Sequence, residues 1–104
     1  MVQPAAAEDV FSAIADPTRR RILELLAQRP EAVGELAARF DISRPAISKH
    51  LRVLGEAGLV RADAAGRRNI YALQPGALGE VRAWLDGFWS ERLAPSKRIS
   101  EGGA

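Results

Sequence analysis

Two neighbouring segments near the middle of the chain carry apolar residues at helical spacing. The first has a stripe at spacings of three and four residues, formed by Val33, Leu36, Ala37 and Phe40. The second places Ile47, Leu51 and Leu54 on one side. Such stripes are typical of amphipathic helices that bury one face. We therefore expect two helices joined by a tight turn at Asp41 and Ile42, with Ile42 as an apolar plug between them.

Residues with known preferences for helix ends mark the limits of the second helix. Ser43 is a plausible N-cap, because its hydroxyl can accept from a backbone N–H two or three residues later. Pro45 falls in the first turn, where its missing N–H costs little. Gly58 supplies a C-terminal stop before Leu59 and Val60 begin a strand. The pattern predicts a helix that starts after Ser43 and ends before Gly58.

The opposite side of this second helix is basic and polar. It carries Arg44, Ser48, Lys49 and Arg52 at helical spacing. Positive charge beside hydrogen-bonding groups suits both phosphates and the edges of bases in the major groove. The alternative is a basic face that is only solvated. The turn, the cap, the charge and the following hairpin coincide here, and together they favour DNA binding.

A hairpin is expected directly after the second helix. The sequence there reads VRADAAGRRNIYAL, which is typical of two short strands joined by a basic turn that contains glycine. Helix, turn, helix and hairpin make a winged helix-turn-helix. The predicted fold is mainly α with a small β-hairpin wing, in the order of four helices, two strands and a last helix.

Two shorter helical segments precede this motif. The first, residues 8–15, carries Val10, Phe11 and Ile14 as its apolar residues. Asp16 is a plausible cap for the second helix, with Pro17 in its first position. That helix begins with a basic run formed by Arg19, Arg20 and Arg21, which we expect to be solvated and to pair with acids such as Glu24. A contact between one of them and a phosphate is the minor alternative.

The last predicted helix, residues 76–93, is rich in apolar and aromatic residues. Its apolar surface is wider than a small domain needs for docking one terminal helix. We expect it to pack with the first helix across a two-fold axis, as a homodimer that favours a palindromic operator. The alternative is that its tryptophans cover the core of the monomer. The expected interface residues are Val10, Phe11, Ile14, Val81, Trp84, Leu85, Phe88 and Trp89.

Length and charge distribution agree with a single DNA-binding domain. A chain of 104 residues suits one domain, expected over residues 8–94, with flexible tails at 1–7 and 95–104. The net charge is only +2. Residues 39–68, however, hold seven basic and three acidic residues (+4), against eight basic and ten acidic residues elsewhere (−2). Positive charge is thus concentrated on the segment that would face DNA.

Several other classes of protein are disfavoured by the composition. The sequence has no cysteine, which excludes disulfides and thiolate metal sites. It has no apolar run long enough to span a membrane and no signal-peptide pattern at its start, so we expect a cytoplasmic protein. An enzyme is not expected, because no carboxylate is placed to orient His50 as a catalytic base. A winged helix that docks a protein partner, without binding DNA specifically, remains the alternative function.

Three runs of the sequence resemble a known family. The runs ADPTRRRILELL, VGELAARFDISRPAISKHLRVLGEAGLV and GRRNIYAL are similar to the ArsR family of bacterial winged-helix repressors, over roughly residues 8–93. The resemblance implies a homodimer with the first and last helices at the interface. It also implies that Arg67 and Arg68 of the wing reach phosphate or the minor groove. Residues implied at or near the major groove are Arg44, Pro45, Ser48, Lys49 and His50.

The chain departs from the metal-sensing members of that family. They carry a cysteine pair at the start of the third helix, where this chain has Ala32 and Gly34. The last helix also lacks the histidines of the family's other metal site. The FWSERL ending resembles a metal-independent branch, and Pro95 should stop the last helix near Ala94. We therefore expect a repressor of its own or a neighbouring promoter, with no metal site and no cofactor; the sequence does not identify an effector.

Overall fold

A computed structural model describes residues 7–92 of the chain. Five α-helices, three strands and a 3₁₀ turn make up this part: α1 (Ala7–Ile14), α2 (Pro17–Gln28), β1 (Glu31–Ala32), α3 (Val33–Ala37), α4 (Arg44–Glu56), β2 (Val60–Ala65), β3 (Arg68–Leu73), the turn (Pro75–Ala77) and α5 (Leu78–Arg92). The predicted winged helix-turn-helix, mainly α with a β-hairpin, is confirmed. The predicted tail over 95–104, most of the tail over 1–7 and the predicted stop at Pro95 lie outside the described residues.

The core is built from the apolar faces of the helices and from the residues that follow α4. Ile47, Leu51 and Leu54 of α4 are at most 1% exposed. They pack in one cluster with buried residues of the other elements: Val10, Ala13, Ile22, Leu23, Leu25, Leu26, Leu36, Ala57, Leu59 and Val60. Burial of this stripe fixes the rotation of α4 about its own axis and leaves its other side to solvent.

Side-chain caps define the starts of α2 and α4 as the sequence predicts. An Asp16 carboxylate oxygen accepts from the backbone N–H of Arg19 at 2.9 Å, and Pro17 opens α2. The Ser43 hydroxyl accepts from the N–H of Ala46 at 3.2 Å. Each cap satisfies a donor that the first turn of a helix leaves without a partner.

Gly58 ends α4 with a Schellman motif. Its φ is +78°, a conformation that favours glycine because it has no Cβ. The Gly58 N–H donates to the carbonyl of Gly55 at 3.0 Å, and the Leu59 N–H donates to that of Leu54 at 2.9 Å. Leu54 and Leu59 are both fully buried, which anchors the turn from α4 into the wing.

The wing belongs to a three-stranded antiparallel sheet with the order β1-β3-β2. Val60 pairs with Leu73 and Ala65 with Arg68, so Gly66 and Arg67 form a two-residue loop. Gly66 has a φ of +67°, as the first position of a tight hairpin turn requires. The sequence did not reveal β1. Its two residues pair with Ile70 and Tyr71 and tie the wing to the start of α3.

The turn between α3 and α4 differs from its prediction. α3 ends at Ala37, so Phe40 already lies in the connection, where it packs against the core. Ile42 is 40% exposed, and the prediction that it plugs the space between the helices is wrong. The chain turns outward at Ile42 before Ser43 caps α4.

The basic run of α2 is used in two ways. Arg21 pairs with Glu24 at 3.2 Å, as expected. Arg19 and Arg20 instead reach back to the carbonyl end of α1: Arg19 Nε donates to the Ala13 carbonyl at 2.7 Å, and Arg20 donates to that of Ile14 at 2.8 Å. Guanidinium groups at a helix C-terminus satisfy orphan carbonyls and complement the helix dipole. These two arginines thus join α1 to α2.

Replacing Asp16 with alanine should destabilise the fold by about 1 kcal/mol, the usual cost of losing an N-cap. Urea denaturation at pH 7 measures this loss. Asp16→Asn is the matched control, because its amide oxygen can still accept from the same backbone N–H. A loss in the asparagine variant equal to that in the alanine variant would show that the cap is not what Asp16 contributes.

The contribution of Asp16 should also depend on pH. The backbone N–H of Arg19 donates to the carboxylate and lowers the pKa of Asp16 below its usual value of 3.8. A carboxyl whose pKa is lower in the folded state stabilises the protein above the unfolded pKa, and this stabilisation disappears as the pH falls through the folded pKa. The difference in unfolding free energy between wild type and Asp16→Asn should therefore shift against wild type below about pH 4. A difference that is constant from pH 7 to pH 2.5 would contradict this account.

Candidate nucleic-acid interface

The outer side of α4 presents the basic and polar row that the sequence predicts. The side chains of Arg44, Pro45, Ser48, Lys49 and Arg52 are all exposed. They lie opposite the buried stripe, because residues four apart share one face of a helix. The first turns of α4 therefore present a largely polar, exposed surface.

Cations of this surface have no acidic partner within residues 7–92. Salt bridges in that part of the chain use other arginines, and none involves Arg44, Lys49, Arg52 or Arg67. Unpaired cations clustered on one face repel each other and attract an anionic ligand. The arrangement suits a polyanion that runs across α4 and the wing.

A cleft of about 690 Å³ separates α3 and α4 from the wing. Its lining includes Gly34, Glu35, Arg44, Ser48, Arg67 and Arg68. Three guanidinium groups thus come together from two elements far apart in sequence. The sequence indicated the basic wing and the basic helix separately; the β2–β3 hairpin brings them to opposite sides of this cleft.

Glu35, on the α3 side of the cleft, makes one hydrogen bond and one ion pair. Its Oε1 accepts from the backbone N–H of Ala32 at 2.9 Å, and its Oε2 lies 3.0 Å from Arg68 Nη2. The Ala32 N–H, together with the Arg68 guanidinium, lowers the pKa of Glu35. The sequence analysis did not identify Glu35. A glutamate three residues after the N-cap of a helix is nevertheless the typical signal of a capping box.

Arg44 lies against the backbone of α3. A Cβ placed on Gly34 would stand 3.5 Å from Arg44 Nη1 and 3.6 Å from its Cζ. The bare glycine therefore lets the guanidinium rest on α3, at one of the two positions where metal-sensing relatives carry cysteine. A side chain longer than alanine at position 34 would have to displace Arg44.

His50 lies beside α2 and is only half exposed. Its Nδ1 is 3.4 Å from Arg19 Nη1, and Arg19 in turn holds the end of α1. The resemblance places His50 at or near the major groove. In the structure its ring contacts Arg19 of α2, and its position at the groove stays a prediction.

Not every basic residue of segment 39–68 faces the candidate interface. Arg39 Nη2 lies 2.9 Å from the carboxylate of Glu31, a β1 side chain that is 2% exposed. Arg29 approaches the same carboxylate at 3.5 Å. A buried carboxylate needs such partners because ionisation away from water is costly. Arg39 therefore stabilises a buried carboxylate and does not serve a ligand, although it was counted among the basic residues of segment 39–68.

A second exposed surface lies on α1 and α5, at the residues expected to form a dimer interface. Trp84 is 53% exposed and Trp89 is 65% exposed, so they do not serve the core of the protomer. The ring of Trp84 packs edge-on against Phe11 at 5.5 Å and stacks on Phe88 at 5.4 Å. Leu85 is 50% exposed, whereas Ile14 and Val81 are half-buried and pack against the core. Val10, in contrast, is 0% exposed and belongs to the core.

Residues 7–92 contain neither a cluster of potential metal ligands nor a helix that could span a membrane. No three His, Asp or Glu side chains in this range are grouped as metal ligands would be. The expected lack of a metal site nevertheless stays a prediction. No helix in the same range combines the length and the apolar content needed to cross a bilayer.

Comparison with known families and proteins gives one consistent result. Residues 16–62 match the model of the family described as bacterial regulatory protein, arsR family. The chain is 51% identical to the HTH-type transcriptional regulator Rv2034 of Mycobacterium tuberculosis, over 80% of this chain and 78% of that protein. It is 39% identical to the transcriptional repressor SdpR of Bacillus subtilis, over 77% of this chain and 89% of that protein.

Solved structures are similar in fold as well as in sequence. A possible transcriptional regulator for arsenical resistance superposes with a TM-score of 0.73 at 46% identity, over 86% of this chain and 94% of that one. The homodimeric winged helix-turn-helix DNA-binding domain of Mb0332 from Mycobacterium bovis superposes with a TM-score of 0.65 at 30% identity. That match covers 83% of this chain and 80% of the other.

The bond between wing and α3 can be tested through the titration of Glu35. Arg68→Ala should raise the pKa of Glu35 towards its usual value, because the guanidinium no longer stabilises the carboxylate; the Ala32 N–H keeps part of the lowering. Carboxyl-detected NMR titration measures it. Arg67→Ala removes the same charge one residue away and should change this pKa less. Equal shifts in the two variants would mean that no specific ion pair exists.

Proposed function

The chain belongs to the ArsR family of bacterial transcriptional regulators, and from this premise we propose that it is a homodimeric repressor that binds duplex DNA through α4 and the wing. One observation carries the proposal. Four exposed cations of α4 and the hairpin form no ion pair within residues 7–92, namely Arg44, Lys49, Arg52 and Arg67. Phosphates supply the countercharge that this face lacks.

Residues at the start of α4 are proposed to read the major groove. Arg44 and Ser48 project from the first two turns, where a recognition helix contacts base edges, and Lys49 beside them is proposed to contact a phosphate. Pro45 lies between them and offers apolar contact. Arg52, one turn further on, and Arg67, at the tip of the wing, are placed to meet phosphates on either side. His50 supports this surface from behind through Arg19.

The exposed aromatic surface of α1 and α5 is proposed as the dimer interface. Supporting it are the exposure of Trp84 and Trp89 and the homodimeric state named for the Mb0332 domain. Burying two tryptophans and Leu85 against a second copy removes a large apolar area from water. A two-fold dimer would place its two copies of α4 about one DNA turn, roughly 34 Å, apart and would favour a palindromic operator.

Repression follows most simply from occupancy of a promoter, at its own gene or a neighbouring one. SdpR, a relative along most of its length, is named as a repressor. We further propose that release from DNA does not use a transition metal bound at the start of α3, because Ala32 and Gly34 offer no ligand there. As a regulator of bacterial DNA, the protein would act in the cytoplasm.

Binding to a labelled duplex from the gene's own upstream region tests the proposal. Fluorescence anisotropy at several salt concentrations, with unrelated DNA as competitor, should give saturable binding that survives the competitor. The slope of log affinity against log salt reports the phosphates contacted, at about 0.9 per contact. Failure to bind any duplex, even at low salt, would favour the alternative of a protein-docking winged helix.

Substitutions on α4 should separate phosphate contacts from base contacts. Lys49→Ala should weaken binding to every sequence and lower the salt slope by about 0.9 per protomer engaged. Arg44→Ala or Ser48→Ala should weaken the operator selectively, by about 1–3 kcal/mol where a good base contact is lost. Arg21→Ala on α2 is the matched control and should leave both quantities unchanged. Unchanged affinity in all the α4 variants would disprove the assignment of this face.

Trp84→Ala should weaken the dimer and the operator complex together, because one operator needs two copies of α4 held at a fixed distance. Sedimentation velocity gives the dimer constant, and anisotropy gives operator affinity on the same samples. Arg82→Ala, also exposed on α5 but charged, is the control for a general effect on this helix. A monomeric Trp84→Ala variant that binds the operator as tightly as wild type would contradict the dimer model.

A further inference from the structure

A single carboxylate interrupts the basic cleft between α3, α4 and the wing. Among the described residues that line the cleft, Glu35 is the one acidic side chain; Arg44, Arg67 and Arg68 line the same cleft. A surface that binds a polyanion gains nothing from a negative charge at that point, since the charge repels phosphate. The position of Glu35 therefore calls for a physical reason.

The carboxylate cannot leave the cleft without a cost to the fold. Its Oε1 is the acceptor for the Ala32 N–H at the start of α3, at 2.9 Å. Its Oε2 faces the wing and pairs with Arg68 at 3.0 Å. One oxygen thus caps the helix while the other points across the cleft, which fixes the negative charge on the side where DNA would approach.

The three arginines of the cleft are not equivalent. Arg44 and Arg67 have no carboxylate partner in the described part of the chain. Arg68 has one, in an ion pair whose two side chains are more than half exposed. Exposed pairs of this kind contribute little to stability, so stabilisation of the fold is a weak reason for this one. Its effect on ligand binding is larger, because the pair is electrically neutral where the other two arginines are positive.

We propose that Glu35 sets the affinity of the wing for the DNA backbone: it holds Arg68 as an internal substitute for a phosphate, so that Arg67 is the wing arginine that meets DNA. The inference rests on the proposed function and differs from the expectation, which stays a prediction, that Arg67 and Arg68 both reach phosphate or the minor groove. Binding to unrelated DNA draws its free energy almost entirely from phosphate contacts. Withholding one arginine per protomer therefore limits retention on the many competing sites of a genome.

Glu35→Gln removes the negative charge of this side chain and keeps its hydrogen bond at the start of α3. Glutamine can still accept from the Ala32 N–H through its amide oxygen, so the start of α3 is retained. The control is Glu24→Gln, which removes the same charge from an exposed ion pair with Arg21 on α2. Equal thermal unfolding of the two variants and wild type checks that the fold is unchanged.

The readout is affinity for an unrelated duplex, measured by fluorescence anisotropy across a range of salt concentrations. Glu35→Gln should bind about five- to tenfold more tightly than wild type near 0.1 M salt, with a salt slope larger by about 0.9 per protomer engaged. Glu24→Gln should stay close to wild type. A salt slope of Glu35→Gln that matches that of Glu24→Gln would overturn the inference.

Variants of the two wing arginines distinguish which one contacts phosphate. Arg67→Ala should lower the wild-type salt slope by about 0.9 per protomer engaged. The double variant Glu35→Gln/Arg68→Ala removes both charges of the pair and leaves the net charge of the cleft unchanged, so its slope should match that of wild type and the gain from Glu35→Gln should vanish. A slope of the double variant below that of wild type would show that Arg68 leaves Glu35 for phosphate, which overturns the inference and leaves the DNA-binding function standing. Failure of wild type itself to bind any duplex would overturn the proposed function, and the inference with it.

Discussion

Burial of one side of α4 is the constraint on which the rest of the structure depends. Ile47, Leu51 and Leu54 are held in the core, the Ser43 cap fixes where the helix starts, and Gly58 fixes where it ends. A helix anchored in this way has a single orientation about its axis. Its polar residues are therefore presented as a rigid row, and a rigid row loses little entropy when it binds an equally rigid groove. The Schellman motif at Gly58 then directs the chain into the wing. The packing of α4 in the core therefore positions both α4 and the wing in the candidate interface.

The charges available to a ligand are fewer than the charges in the sequence. Arg19 and Arg20 bond the end of α1, Arg39 neutralises the buried Glu31, and Arg68 pairs with Glu35. Among residues 7–92, the cations of α4 and the wing tip that form no ion pair are Arg44, Lys49, Arg52 and Arg67. With this distribution, the positive potential is confined to one part of the surface and does not extend over the whole molecule. The distribution also joins folding to recognition, because the hydrogen bonds and ion pairs that position α1, β1 and the wing decide which guanidinium groups remain available to a ligand.

Features set by neighbouring residues could be predicted from the sequence, and those set by distant contacts could not. The caps at Asp16 and Ser43, the stop at Gly58 and the hairpin turn at Gly66 depend on a few adjacent residues, whose preferences are strong. The strand β1 has only two residues and exists because β3 lies beside it. The exposure of Ile42 and the bonds from Arg19 to α1 likewise depend on how separate elements pack. In the candidate site, the row on α4 followed from helical spacing, whereas the pairing of Glu35 with Arg68 needed the fold of the wing onto α3.

The central claim is that α4 and the wing form the surface that meets duplex DNA. Backbone amide shifts in NMR spectra, followed while a duplex selected by the protein from a random pool is added, test it most directly. The account predicts the largest shifts at residues 44–52 and 66–69, with small shifts along α5. Shifts confined to α5, or spread evenly over the chain while α4 stays unperturbed, would contradict it.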